Sequence, residues 1–157
     1  MTVLQGRLAD RDAWSAVGQC PIEKTMGLLG AKSTMLLLRE AYYGTTRFDD
    51  FWRRVGITKA AASARLADLV EAGLLTRRPY QEPGQRCRDE YVLTPAGVDF
   101  MPVVWAMFDW GQRHLPAPAR LRLTHEGCGA DAAVVVRCAE GHDVPFEELG
   151  MRVTCHR

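Results

Sequence analysis

Residues 56–94, GITKAAASARLADLVEAGLLTRRPYQEPGQRCRDEYVLT, decide the fold. Thr58 suits a helix N-cap, and residues 58–72 carry neither Gly nor Pro, so this stretch predicts a helix. On a helical wheel Ala62, Leu66, Leu69 and Val70 share one side, with Ile57 leading in. The opposite side is Ala60, Ala61, Ser63, Ala64 and Ala67, flanked by Lys59 and Arg65. A solvated helix would put long charged pairs on that face. A face of small residues edged by basic ones can instead lie deep in a DNA major groove. Gly73 is placed to end the helix just past its C-cap. Residues 74–80 then read as extended, 82–85 has Pro and Gly where a type II turn wants them, and 88–93 returns.

Helix, tight exit and hairpin together make the recognition half of a winged helix. Thr58, Lys59, Ala60, Ser63, Ala64 and Arg65 on the helix are the residues offered to DNA. Arg77, Arg78, Gln85, Arg86 and Arg88 are offered by the hairpin. Each basic residue alone reads equally as ordinary surface charge. Their convergence on one side of such a unit favours phosphate contact.

The flanking sequence completes the unit. Cys20-Pro21 starts a helix with Pro in its first turn, Ile22, Met26 and Leu29 give it an apolar stripe, and Gly30 closes it. Residues 33–43 form the next helix, with Met35, Leu36, Leu38 and Ala41 available for burial. Residues 47–55 follow, carrying Asp49 and Asp50 in the first turn, and Gly56-Ile57 makes the tight turn of a helix-turn-helix. After the hairpin, Thr94-Pro95 restarts a helix running to about residue 115, bent by Pro102. Its apolar residues (Phe100, Val103, Val104, Met107, Phe108 and Trp110) spread over more than one face, which predicts packing against a second copy.

At 157 residues the chain can bury one core and a small appendage. Its 47% hydrophobic and 25% charged composition is globular, with no run apolar enough to span a membrane and no secretory pattern at the N-terminus. Net charge is only +1, so any nucleic-acid partner must be read from charge placement; residues 47–94 hold nine Arg/Lys against seven Asp/Glu. Five cysteines, an odd and scattered set, argue against a secreted disulfide framework and for a reduced, cytoplasmic protein.

The expected organisation is an arm at 1–19 with a short helical stretch at 13–17, the winged-helix domain at 20–115, and a small β-rich tail at 116–157. Residues 116–118 serve as its linker. In the tail, residues 121–124 and 132–138 read as strands. His125, Cys128, Cys138 and His142 have the spacing H-x2-C-x9-C-x3-H, which suggests a degenerate zinc ribbon, with Cys155 or His156 as a substitute ligand. The competing reading is a metal-free hairpin packed through Val134 and Val136. The metal-free form is preferred, so no cofactor is expected, and zinc is the alternative. The fold class is thus α+β: a winged helix-turn-helix with a long C-terminal dimerisation helix and a ribbon-like tail.

Residues 20–115 resemble the HxlR-type branch of the MarR-like winged-helix transcriptional regulators. The resemblance rests on CPIEKTMGLLGAKSTMLLLREAYYGTTRFDDF, GITKAAASARLADLVEAGLLTRRPY and EYVLTPAGVDFMPVVWAMFDWGQRHL, in that order. It implies a homodimer built from the N-terminal and long C-terminal helices, bound to double-stranded DNA. It also implies control by a small-molecule effector or by thiol oxidation, since some relatives carry an oxidant- or electrophile-sensing cysteine where Cys20 stands. The chain departs from the family pattern at Ser33, usually Trp, and at Ala60 and Ala64, usually Gln or Lys.

Three function classes follow. The leading one is a homodimeric repressor on palindromic operators. A winged-helix and zinc-ribbon adaptor for protein contacts is the alternative. An enzyme built on a Cys/His pair is disfavoured, for the sequence has no nucleophile elbow, Gly-rich phosphate loop or paired carboxylates.

Overall fold

The computed structural model describes residues 3–12, 14–15, 17–116 and 120–153. The expected helical stretch at 13–17 lies partly outside these residues, as do most of the 116–118 linker and both Cys155 and His156. Two units are present: residues 21–118, and residues 1–20 together with 119–157. The sequence reading set the first nineteen residues apart as an arm, but among them the described Val3 and Leu4 pair with the tail at Gly150 and Met151.

The larger unit runs α1 (Pro21–Leu29), α2 (Lys32–Tyr42), α3 (Phe48–Val55), α4 (Lys59–Glu71), β2 (Leu75–Tyr80), β3 (Arg88–Leu93), α5 (Pro95–Asp99) and α6 (Met101–His114). This is the winged helix-turn-helix order. Helix α2 packs against α1, α3, α4, α6 and β3, so it is the central element. Its buried side is Thr34, Leu37, Leu38 and Ala41. Leu37 is fully buried, whereas the sequence reading had chosen its half-buried neighbours Met35 and Leu36. Phe51 of α3, Leu66 and Leu69 of α4 and Leu75 of β2 complete the sealed core, with Tyr91 edge-on to Phe51 at 6.1 Å.

Helix α4 ends as its sequence dictates. Gly73 takes φ 72°, Gly73 N–H donates to Val70 O, and Leu74 N–H donates back to Leu69 O. The hairpin pairs Leu75 with Leu93 through Tyr80 with Arg88, and Gln85 N–H to Glu82 O (3.0 Å) with Gly84 at φ 76° closes its turn. A third partner lies across β3: Tyr91 N–H donates to Thr46 O at 2.8 Å, and Arg47 bridges Glu90.

The expected bent helix is instead two. Phe100 separates α5 from α6, and Pro102 stands in the first turn of α6, where a missing N–H costs nothing. Gly97 in α5 is a joint. Tyr42 Oη donates to its carbonyl at 2.6 Å, and burial pushes that phenol up to about 12. Its N–H donates to Thr94 Oγ1, while Thr94 N–H and Oγ1–H donate to Leu74 O and Gly73 O.

In the smaller unit β1 (Val3–Leu4) pairs in parallel with β4 (Gly150–Met151). The Trp14 indole N–H donates to Leu8 O at 3.0 Å, and the Arg11 guanidinium lies 4.5 Å from the Trp14 ring centre. The strands expected at 121–124 and 132–138 do not form. Only the isolated bridges Thr124 to Asp131 and Arg137 to Asp143 occur there, each with an ion pair (Arg122–Asp131 and Arg137–Asp143). Of the valines that drew the strand reading, Val134 is half-buried, while Val135 and Val136 stay exposed. No helix among the described residues is long and apolar enough to cross a membrane.

A Cβ at Gly97 would strike Leu74 O and sit 3.1 Å from a Leu93 methyl. Gly97→Ala is therefore expected to destabilise the larger unit by about 2–3 kcal/mol, read as a lower urea midpoint at unchanged slope. An unaltered midpoint would show that this joint yields freely.

Candidate nucleic-acid interface

Thr58 caps α4, its Oγ1 accepting from Ala61 N–H at 3.2 Å. With Ala62, Leu66 and Leu69 buried beneath, α4 turns Ala60, Ser63, Ala64 and Ala67 outward, all exposed. Among these only Ser63 has a side chain that can hydrogen-bond to a base. The first turn of α4 carries no acid, so no side chain of that turn offsets the positive end of the helix dipole.

Charge is divided into held and free groups. Lys59 Nζ lies 3.9 Å from Asp49 Oδ1 and 5.2 Å from the Trp52 ring centre, and Arg65 pairs with Asp68 at 2.8 Å. The Trp52 indole N–H donates to Asp49 and, more than the Lys59 charge, holds that carboxyl below its usual range. On the wing, Arg78 grips Glu90 Oε1 through Nε at 2.7 Å and Nη2 at 2.6 Å. Arg77, Arg86 and Arg88 are exposed, and among the described residues no carboxylate lies within ion-pair distance of them; Arg77 keeps a ring contact, 5.8 Å from the Tyr91 centre. Gln85 is exposed at the turn, its amide donating to Glu82 at 3.1 Å.

Sequence reading missed the group that makes this division. Glu90 is buried, although it carries a charge. Its carboxyl is held below the ordinary range first by the Arg78 hydrogen bond, with burial opposing and Thr46 and Arg47 assisting. Arg47, the N-cap of α3, lies with its guanidinium carbon 3.1 Å from the Tyr80 ring centre, with Nη2 3.9 Å from Glu82 and Nη1 3.9 Å from Glu90. One residue thus ties the start of the helix-turn-helix to the wing. The turn alone does not give this pairing: a tight turn at 82–85 would set position 78 opposite 89, and the observed register places it one residue further on, opposite Glu90.

Of the tail ligand candidates, the structure brings together His125 and Cys128, with Nδ1 and Sγ 3.1 Å apart. Cys138 and His142 sit on a separate turn, and among the described residues no three His, Cys, Asp or Glu side chains gather for a metal. Cys20 is half-buried directly before α1.

The geometry has close counterparts. A family model described as HxlR-like helix-turn-helix matches residues 28–119. An uncharacterized HTH-type transcriptional regulator of Mycobacterium tuberculosis is 36% identical over 124 residues, 76% of this chain and 77% of its own. YdeP of Bacillus subtilis, also an uncharacterized HTH-type transcriptional regulator, is 31% identical over 96 residues, 60% of this chain and 73% of its own. Among solved structures, the candidate transcription factor PA1607 matches with TM-score 0.73 at 30% identity, covering 88% of this chain and 96% of that one. The redox regulator HypR in its reduced form matches with TM-score 0.56 at 28% identity, covering 62% of this chain and 95% of that one.

Because the folded Glu90 carboxyl is depressed, the unfolded chain binds its proton more readily. The stability it contributes is present above its ordinary value of 4.5 and lost as pH falls through the folded value. Between about pH 6 and about pH 3 the urea midpoint of Glu90→Gln should therefore fall less steeply than that of the unaltered protein. Parallel pH profiles would show that Glu90 is not held by Arg78 in solution.

Proposed function

This chain belongs to the HxlR-like helix-turn-helix family and is a transcriptional regulator with a DNA-binding helix-turn-helix; from that premise we propose that it is a cytoplasmic, homodimeric repressor acting on palindromic operators. The observation that carries the reading is the small, exposed face of α4 beside the unpaired arginines of the wing. Helix α4 enters the major groove, and Ser63 reads base edges, with Ala60 and Ala64 allowing close approach. Arg77, Arg86 and Arg88 take phosphates, and Arg78 serves the wing itself by holding Glu90.

The dimer reading rests on an open apolar groove. Pro21, Ile22, Met26, Val103 and Met107 of α1 and α6 line a cavity of about 430 Å³. Ile22 is 73% exposed, Met26 59% and Met107 58%, where a stripe on a lone helix pair would be covered. A second copy of the same groove covers it, as the resemblance implies, and a small effector would act by changing how the two copies meet. Cys20, at the entrance to α1, is the proposed oxidant sensor. The redox regulator HypR, solved in reduced and oxidized forms, supports that assignment by its likeness to this chain.

Binding to labelled duplex DNA by fluorescence anisotropy over a range of salt tests the reading. Arg77→Ala and Arg88→Ala should each lower the log–log salt slope by about 0.9 per contact in every half-site, on all sequences alike. Arg78→Ala should move the slope much less, and a Ser63 substitution should change sequence preference instead. Met107→Glu should sediment as a monomer and bind weakly. Equal salt slopes for all three arginine variants and the unaltered chain would refute the interface.

A further inference from the structure

We propose that Cys128 is a histidine-assisted thiol, a modification site for soft carbon electrophiles such as α,β-unsaturated carbonyls. Three of the free cysteines are exposed: Cys87, Cys128 and Cys138. Among the described residues only Cys128 has a side-chain partner for its sulfur, the imidazole of His125 at 3.1 Å. His142 stands close to Cys138 in sequence, yet it meets that residue only through its backbone carbonyl.

The pair is built into a tight turn. His125 N–H donates to Ala130 O at 2.9 Å, while Cys128 N–H and Gly129 N–H both donate to His125 O, and Gly129 takes φ 71°. The backbone therefore fixes where both side chains start. Gly127 leaves room for the ring: a Cβ there would lie 3.1 Å from His125 Cε1 and 3.4 Å from Nε2. The imidazole lies over this bare backbone, and that placement aims Nδ1 at the sulfur.

A base in this position removes the obstacle to thiol chemistry, because the thiolate is the nucleophile. With the ring hydrogen on Nε2, the thiol of Cys128 donates to Nδ1. As Sγ forms its bond to the β-carbon of an unsaturated carbonyl, the S–H proton passes to Nδ1. The π pair moves into the enolate. The α-carbon then takes a proton from the imidazolium, leaving a thioether and a neutral ring, with no leaving group and no change of redox state. Exposure of the turn gives the electrophile access.

Limited reaction of the full-length protein with N-ethylmaleimide, followed by peptide mass mapping, tests the assignment; trypsin separates Cys128 from Cys138 at Arg137. Cys128 should react on the order of tenfold faster than Cys87 or Cys138, at or below the low end of what a positioned base supplies. His125→Asn should bring its rate down to that of Cys87. Gly127→Ala should slow it in the same direction, and neither change should alter Cys87. Similar rates for the three exposed thiols would overturn the proposal. So would an unchanged Cys128 rate in His125→Asn, or a rate that rises only after chelation, which would mean the pair holds a metal.

Discussion

The carbonyls of Gly73 and Leu74, which carry the chain from α4 into the hairpin, are the constraint on which the larger unit depends. Backbone acceptors in so tight an exit must find donors. Here Thr94 supplies two, to Gly73 O and Leu74 O, from just past the far strand of the hairpin. The same hydroxyl accepts from Gly97, whose own carbonyl accepts from Tyr42 of the central helix. End of recognition helix, wing, α5 and α2 are thereby fastened at one place. That place needs a residue without a Cβ, and it ties the end of the wing to the end of α4.

On that frame, electrostatics divides the basic residues by role. Glu90 is buried at the root of the wing and holds Arg78 with two short contacts, while Arg47 stacks on Tyr80 nearby. A buried carboxylate without such partners would be strongly unfavourable, so these arginines are committed to the fold. Exposed pairs such as Arg65 with Asp68 are weaker and can exchange for phosphate. In the proposed interface, the exposed wing arginines that pair with no carboxylate and the small face of α4 are what is left for DNA.

Much of this was legible in the residues. Thr58, Gly73 and the Pro83-Gly84 turn act locally, and the elements they bound appear within a residue or two of expectation. Errors arose where distant chain decides. Leu37 rather than Leu36 is sealed because α2 is surrounded by five elements, so its buried side is wider than a single stripe. Val3–Leu4 gained a partner almost the length of the chain away, which no local pattern announces. Conversely, 132–138 has strand-forming residues but meets its neighbours only through scattered backbone bonds and isolated bridges, not a continuous ladder. In the site, the outward face of α4 was readable from periodicity. The commitment of Arg78 was not read, for it needed the hairpin register and the burial of Glu90 together.

The central claim is that two copies present α4 and the wing to one face of a duplex. Selection of bound duplexes from a random library, followed by hydroxyl-radical footprinting on the selected site, tests it most directly. The account predicts an inverted repeat, with two protected patches about one helical turn apart, ~34 Å, on the same face of the DNA. A single unrepeated patch, or no enrichment of any sequence, would contradict it.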